Sequence, residues 1–216
     1  MSNDYTQVHK AVYDALVEEY EHKADLSVAS MTRLVNYFIP YITSGNEVLD
    51  IGCGVGQETQ LLSEGGFKVT AIDISSKMVE HTKKRCPNAH VVQGEFLRFN
   101  FDQQFDAIFS FAFIHLFPKS DANRVLKKMF GLLKSGGVLF INTNLSTESR
   151  EGWEVKNDSL FPRSKQKRYR KHWTEVELLS ALVETGFVLK DKTISDDDPR
   201  GKKWMQFIME RPAEEV

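Results

Sequence analysis

Glu47-Val48-Leu49-Asp50-Ile51-Gly52-Cys53-Gly54-Val55-Gly56-Gln57-Glu58-Thr59 is the stretch on which the reading of this chain turns. A short apolar run delivers the backbone into three glycines at alternate positions, and a helix-compatible stretch leaves them. Glycine at such a point permits a tight turn and lets a ligand press against bare backbone. Exposed N–H groups at the start of the helix would favour a carboxylate or phosphate. Spacing then selects the ligand. A dinucleotide-binding loop needs Gly-x-Gly-x-x-Gly, and its third glycine falls where this chain has Gln57. The pattern here is Gly-x-Gly-x-Gly with an acid, Asp50, before it, which departs from the nicotinamide and flavin fingerprint.

On the C-terminal side, short apolar runs alternate with helical stretches. Lys68–Asp73, His90–Gln93, Phe105–Phe111 and Val138–Thr143 read as strands, following a first strand at Glu47–Ile51. Between them lie helices at Gln57–Ser63, at Ser76–Cys86 with Ser75 as N-cap, and at Asp121–Leu133 with Ser120 available as cap. That alternation predicts β-α-β units in an α/β, Rossmann-like, doubly wound, mostly parallel sheet with helices on both faces. N-terminal to the loop, Val8, Val12, Ala15 and Leu16 predict one amphipathic helix over 5–23, and Ala24–Tyr41 a second, forming a helical cap over 1–43 before the 47–143 core. Residues 144–173 show no clear period and predict an irregular substrate-side segment. Over 174–211, Thr174-Glu175-Val176-Glu177 is a capping box for a helix ending at Gly186. Phe187–Ile194 and Trp204–Met209 then read as two strands able to pair antiparallel.

Composition fits one globular domain. The 216 residues are 41% hydrophobic and 27% charged with a formal net charge of −2, so no chain-wide electrostatic pull toward nucleic acid or an anionic membrane is expected. No secretory leader or membrane-spanning run is visible, and the two cysteines, Cys53 and Cys86, form neither a disulfide framework nor a Cys-x-x-Cys pair. A reduced, cytoplasmic setting without a bound metal is the expectation.

Val69-Thr70-Ala71-Ile72-Asp73-Ile74-Ser75 supplies a second element of the site. Asp73 ends the second strand beside the glycine loop, where a carboxylate can accept hydrogen bonds from both hydroxyls of a ribose. Two more stretches follow, Val91-Val92-Gln93-Gly94-Glu95-Phe96 and Phe105-Asp106-Ala107-Ile108-Phe109-Ser110-Phe111, and then the turn Leu132-Leu133-Lys134-Ser135-Gly136-Gly137. Taken in order, these stretches resemble the motifs of class I S-adenosylmethionine-dependent methyltransferases over roughly Tyr13–Arg211. Glu95 stands where that family commonly has Asp, and Ser135 where it has proline.

The resemblance implies a seven-stranded sheet with its last strand antiparallel and S-adenosyl-L-methionine as cofactor. It also implies a cofactor site built from Tyr20, Asp50, Gly52, Cys53, Gly54, Asp73, Ile74, Met78, Gly94, Glu95, Phe96 and Phe111. Transfer of a methyl group from a sulfonium needs chiefly positioning, desolvation and, for some acceptors, removal of a proton. Tyr13, Tyr20, Phe111 and Phe113 are the aromatic side chains suited to a sulfonium, and the helix bearing Tyr20 is a candidate lid. His115, just past the fourth strand, is the candidate general base. Trp173 and Trp204 are expected in or beside the acceptor pocket. A small-molecule acceptor is expected, since no large nucleic-acid-binding appendage is visible. The basic run Arg163–Trp173 could recognise a phosphate or carboxylate on the substrate, or touch RNA and so keep open an RNA-modifying enzyme, although it reads more simply as a solvated loop. A non-catalytic cofactor-binding protein also remains open.

Overall fold

In the computed structural model of the protein, residues 5–155, 167–196 and 201–213 are described. The chain opens with three helices, α1 (Tyr5–Ala15), α2 (Val17–Leu26) and α3 (Val28–Phe38). Strand β1 (Glu47–Ile51) leads through the glycine loop into α4 (Gln57–Glu64), followed by β2 (Lys68–Asp73), α5 (Ser76–Arg85), β3 (His90–Gln93) and β4 (Phe105–Phe111). Then come α6 (Lys119–Leu132), β5 (Leu133–Asn144), β6 (Arg150–Val155), β7 (Lys167–His172), α7 (Glu175–Thr185), β8 (Val188–Ser195) and β9 (Trp204–Glu210).

Seven strands form one sheet in the order β3-β2-β1-β4-β5-β9-β8. All neighbours from β3 to β5 pair parallel, whereas β9 runs antiparallel to both β5 and β8. The strand order reverses between β1 and β4, which opens a crevice at the carboxyl ends of the central strands. Side chains of β4 serve two faces, with an irregularity of register between Phe105 and Ala107. Ala107 and Phe109 pack with Val35, Phe38 and Leu62, while Phe105 and Ile108 pack with Val125, Met129, Leu178 and Leu182. Helices α3 and α4 therefore cover one face, and α6 and α7 the other. Phe109 stacks on Phe140 with centroids 4.4 Å apart, and Phe38 leans on both rings. At the opposite end of the sheet from the crevice, the Asp106 carboxylate accepts the Glu47 N–H at 2.9 Å and a Lys134 ammonium proton at 2.8 Å, clamping the starts of β1, β4 and β5.

The predicted caps form. Ser75 Oγ accepts the Met78 N–H, Thr174 Oγ1 accepts the Glu177 N–H, and Gly186 closes α7 in the left-handed region at φ 110°. Helix α6, in contrast, begins at Lys119 after Pro118 and has no side-chain cap from Ser120.

Three sequence expectations need correction, one being the second helix over Ala24–Tyr41, which is interrupted at Ser27 (φ/ψ −107°/8°) so that α2 ends at Leu26 and α3 starts at Val28. The single helix over 5–23 is broken at Leu16, whose φ/ψ of −108°/11° leaves the helical region and turns α2 away from α1. The segment 144–173 is not irregular where described: β6 and β7 pair antiparallel from Arg150↔His172 to Val155↔Lys167. Residues 156–166, which hold the first part of the basic run, lie outside the described residues. Among the described residues no helix is long and apolar enough to cross a membrane.

Candidate functional site

The crevice at the carboxyl ends of β1, β2 and β4 is roofed by α1 and α2, giving one large pocket. Its floor is the glycine loop. Gly52, Gly54 and Gly56 all adopt positive φ (74°, 53° and 84°), which an L side chain rarely tolerates. Their surroundings differ: a Cβ on Gly56 would strike Thr82 at 2.9 Å, whereas one on Gly54 would meet nothing within 4 Å and would project into open space. Several of the loop's N–H groups, all ahead of the start of α4, are committed within the protein. Gly52 and Cys53 donate to the Ile72 carbonyl, and Gly54 donates to Asp73 Oδ2 at 3.1 Å.

Asp73 also accepts the Ser75 N–H at 2.8 Å, so the acid at the end of β2 is tied to the loop and to the start of α5. Burial pushes its pKa up to about 6, against the pull of those backbone donors. Glu58 on α4 joins it in the lining, and burial raises its pKa too. Ile74, Met78, Gly94, Glu95 and Phe96 continue this wall, with Cys53 and Phe111. Asp50 does not reach the pocket lining. It is 2% exposed behind the loop, where it accepts the Thr59 hydroxyl at 2.6 Å, and burial raises its pKa. Sequence reasoning grouped it with the pocket acids because of its place before the first glycine.

The roof is built of aromatic contacts. Tyr5, His9, Tyr13 and Tyr20 form a chain of rings with successive centroids 5.9, 6.3 and 5.5 Å apart. Polar latches hold it down: Tyr5 donates to Asp121 Oδ2 at 2.7 Å, Asp14 accepts the Ser75 hydroxyl at 2.6 Å, and His9 Nε2 lies 3.1 Å from the Tyr169 carbonyl. Gln57, which stands where a third glycine would be in a dinucleotide loop, donates to the Ala24 carbonyl and accepts from Ser27, bonding the glycine loop to the α2–α3 junction.

The far wall follows β4. Ala112 sits at φ 53° with no glycine's freedom, a strained turn of about 1–2 kcal/mol that sets Phe111 and Phe113 in the lining. Phe111 stacks on Trp204, which lines the pocket as expected. Trp173 does not; it is fully buried in the core on the α6–α7 face. His115 lines the pocket, 4% exposed, with Nδ1 2.9 Å from Thr143 Oγ1. Burial, then the nearby Arg170 and Arg168, hold its pKa well below the usual histidine value, so the ring is neutral.

Comparison with known proteins places this chain in a family. Residues 48–137 match the family described as a methyltransferase domain. An uncharacterized methyltransferase of Staphylococcus carnosus is 30% identical over 175 residues, which are 79% of this chain and 83% of that relative. The chain belongs to the class I S-adenosylmethionine-dependent methyltransferases. Its methyl donor is therefore S-adenosylmethionine. The malonyl-[acyl-carrier protein] O-methyltransferase of Priestia megaterium is 30% identical over 142 residues, 63% of this methyltransferase and 51% of the relative. A crystal structure of the Burkholderia thailandensis 1,6-didemethyltoxoflavin-N1-methyltransferase, with 1,6-didemethyltoxoflavin and S-adenosylhomocysteine bound, shares the fold at a TM-score of 0.80 and 17% identity, over 98% of this chain and 91% of that one.

Sequence reasoning missed His9, Asn144 and Lys202 in the lining of this methyltransferase and favoured a solvated loop for the run that supplies Arg168 and Arg170. Arg168 and Lys171 of the basic run are 1% and 3% exposed, so the described part of that run is not a solvated loop. Lys171 spans to Glu177 at 2.7 Å and to the Ser149 hydroxyl at 2.6 Å. A strand period of two was present in β7, but it was written in arginine and lysine rather than in apolar residues.

Proposed function

We propose that this methyltransferase acts on a small molecule held between the glycine-loop wall and the β7 side of one roofed pocket. The observation that carries the reading is the roof itself. Helices α1 and α2 close over the crevice through Tyr5, His9, Tyr13 and Tyr20, which leaves a chamber suited to a compact acceptor rather than a channel for a polymer. The toxoflavin methyltransferase of the same fold, which binds a compact heterocycle, supports it. Burial of Arg168 and Lys171 removes much of the motive for an RNA-modifying reading.

The residues present fit the cofactor. The wall of Glu58, Asp73 and Glu95 is acidic, which suits a ligand carrying ammonium and sulfonium charges, and the empty space over Gly54 is what a side chain there would fill. On this reading Asp73 accepts the ribose hydroxyls, with Ile74 and Met78 beside them. Gly52, Cys53 and Gly54 flank the methionine portion, while Gly94, Glu95 and Phe96 receive the adenine. Tyr20 and Phe111 contribute ring surface near the sulfonium. Bound there, the cofactor supplies an activated methyl group. Asp50 acts from behind, as support for the loop.

His115, neutral and inside the pocket, is the proposed proton acceptor, and its low proton affinity suits it to acidic acceptors only. Two free, buried thiols support a reducing, cytoplasmic setting. The cofactor fit is tested by calorimetric titration of the purified protein with S-adenosylmethionine, S-adenosylhomocysteine and NAD. Micromolar binding of the first two and none of NAD is the expected result; preference for NAD, or no binding of any, would refute it.

A further inference from the structure

The pocket carries opposite charge at its two ends. Against the acidic cofactor wall stands one formed by His9, Asn144, Arg168 and Arg170. Arg170 is satisfied locally, donating to Asn144 Oδ1 at 3.1 Å and lying 3.4 Å from Glu154. Arg168 is not. It is 1% exposed, its Nε and Nη2 have no hydrogen-bond partner, and none of the described carboxylates forms an ion pair with it. Its polar neighbours are the hydroxyls of Tyr13 and Tyr20, the Tyr13 ring centroid lies 5.7 Å from the guanidinium, and a second cation, Arg170, stands close by. A second donor on this wall, Asn144 Nδ2, is buried and likewise without a partner.

Buried polar groups are nearly always hydrogen-bonded, and a buried cation left without its counter-charge is costly. Placing three unpartnered donor nitrogens in a pocket that must admit a second reactant gives that cost a use. The donors and the charge have the chemistry of an oxyanion site, and the planar fork of arginine matches a carboxylate or phosphate. The histidines of the same wall point the same way. His9 and His115 both hold protons weakly, through burial and then the field of the two arginines, so this wall offers no strong base for a neutral, weakly acidic acceptor.

From this we infer that the acceptor carries an anionic oxygen group, a carboxylate or a phosphorus oxyacid, which Arg168 and Asn144 receive at the β7 end of the pocket. The inference rests on the small-molecule reading above and narrows it to a substrate class. Recognition concerns that anionic group, whichever atom of the acceptor is methylated.

The test uses the full-length protein saturated with S-adenosylhomocysteine and four ring probes of similar size: benzoate, phenylphosphonate, benzamide and benzylamine. Ligand-observed NMR titration should show the two anions binding at least tenfold more tightly than benzamide, with benzylamine weakest. Arg168→Gln should abolish that preference while keeping affinity for S-adenosylhomocysteine within about threefold of wild type. Arg168→Lys retains the charge but loses the fork, so its anion affinity should fall at least threefold; this variant decides the matter if Arg168→Gln does not fold. Equal binding of benzoate and benzamide to the wild type, or anion binding unchanged in the lysine variant, would overturn the inference. Failure of the wild type to bind S-adenosylhomocysteine at all would instead sink the cofactor reading beneath it.

Discussion

Asp73 gives the sharpest handle on the cofactor site, because its proton and the ligand compete for the same oxygens. Burial raises its pKa to about 6 in the ligand-free fold, while its remaining lone pairs are the ones proposed to accept ribose hydroxyls. Binding then requires the carboxylate. Affinity should rise with pH through about 6 and level off above it, with a proton released on binding at lower pH. About nine-tenths of the group is protonated one unit below its pKa, so the Kd for S-adenosylhomocysteine at pH 5 should be roughly tenfold weaker than at pH 7.5. Asp73→Asn keeps the shape and removes the charge. Loss of a charge-assisted hydrogen bond is worth about 1.5–3 kcal/mol, so Kd at pH 7.5 should weaken by about 10- to 100-fold, and the pH dependence should flatten. Glu58, the other raised acid of the pocket, remains in the variant, so the difference between the two proteins isolates Asp73. Calorimetry at pH 5, 6, 7 and 7.5 on both proteins is the assay, with circular dichroism confirming that each is folded throughout. A flat profile in the wild type, or an affinity in Asp73→Asn within threefold of wild type at pH 7.5, would refute the assignment.

Gly54→Ala and Gly66→Ala form a matched pair, since both glycines have positive φ and open space at the Cβ position. Thermal denaturation should show each losing about 1–2 kcal/mol, but only Gly54→Ala should weaken S-adenosylhomocysteine binding, by at least tenfold; equal affinities would remove the glycine loop from the site. With an acceptor in hand, His115→Ala should lower kcat/KM by about 10²–10⁴ while cofactor affinity holds, and activity within a few-fold of wild type would exclude it as base. Burial works against ionisation of Asp106, yet the Lys134 bond and the backbone donors at Glu47 and Asn46 hold its pKa below the ordinary carboxylate value. Its stabilisation is therefore present above that ordinary value and lost as pH falls through the folded one. Asp106→Asn should cost about 1–3 kcal/mol at pH 7, and its melting temperature should converge on that of wild type in acid; a gap independent of pH would refute the clamp.

The glycine loop, Asp73 and the β-α alternation were legible because each is a local pattern: glycine where φ must be positive, an acid at a strand end, apolar runs of strand length. What escaped was nonlocal. Nothing near Arg168 in the sequence says that β6 and the roof will bury it, since a strand period made of cations looks like surface. The break at Leu16 was hidden for a related reason: the apolar spacing continues across it, and only the fit of α2 over Gln57 and Met78 requires the turn. Asp50 lay close to the site in sequence yet behind the loop in space, because alternate residues of β1 face opposite sides of the sheet.

Ser75 joins three things at once. Its hydroxyl is donated to Asp14 of α1, its N–H to Asp73, and its oxygen accepts the Met78 N–H in the first turn of α5. Opening the roof means giving up the Asp14 bond and the Tyr5–Asp121 bond, two hydrogen bonds to carboxylates at about 1.5–3 kcal/mol each. Ser75 thereby ties the roof, the acid of the cofactor wall and the start of α5 into one hydrogen-bonded unit, so a change at any one of the three is passed to the other two.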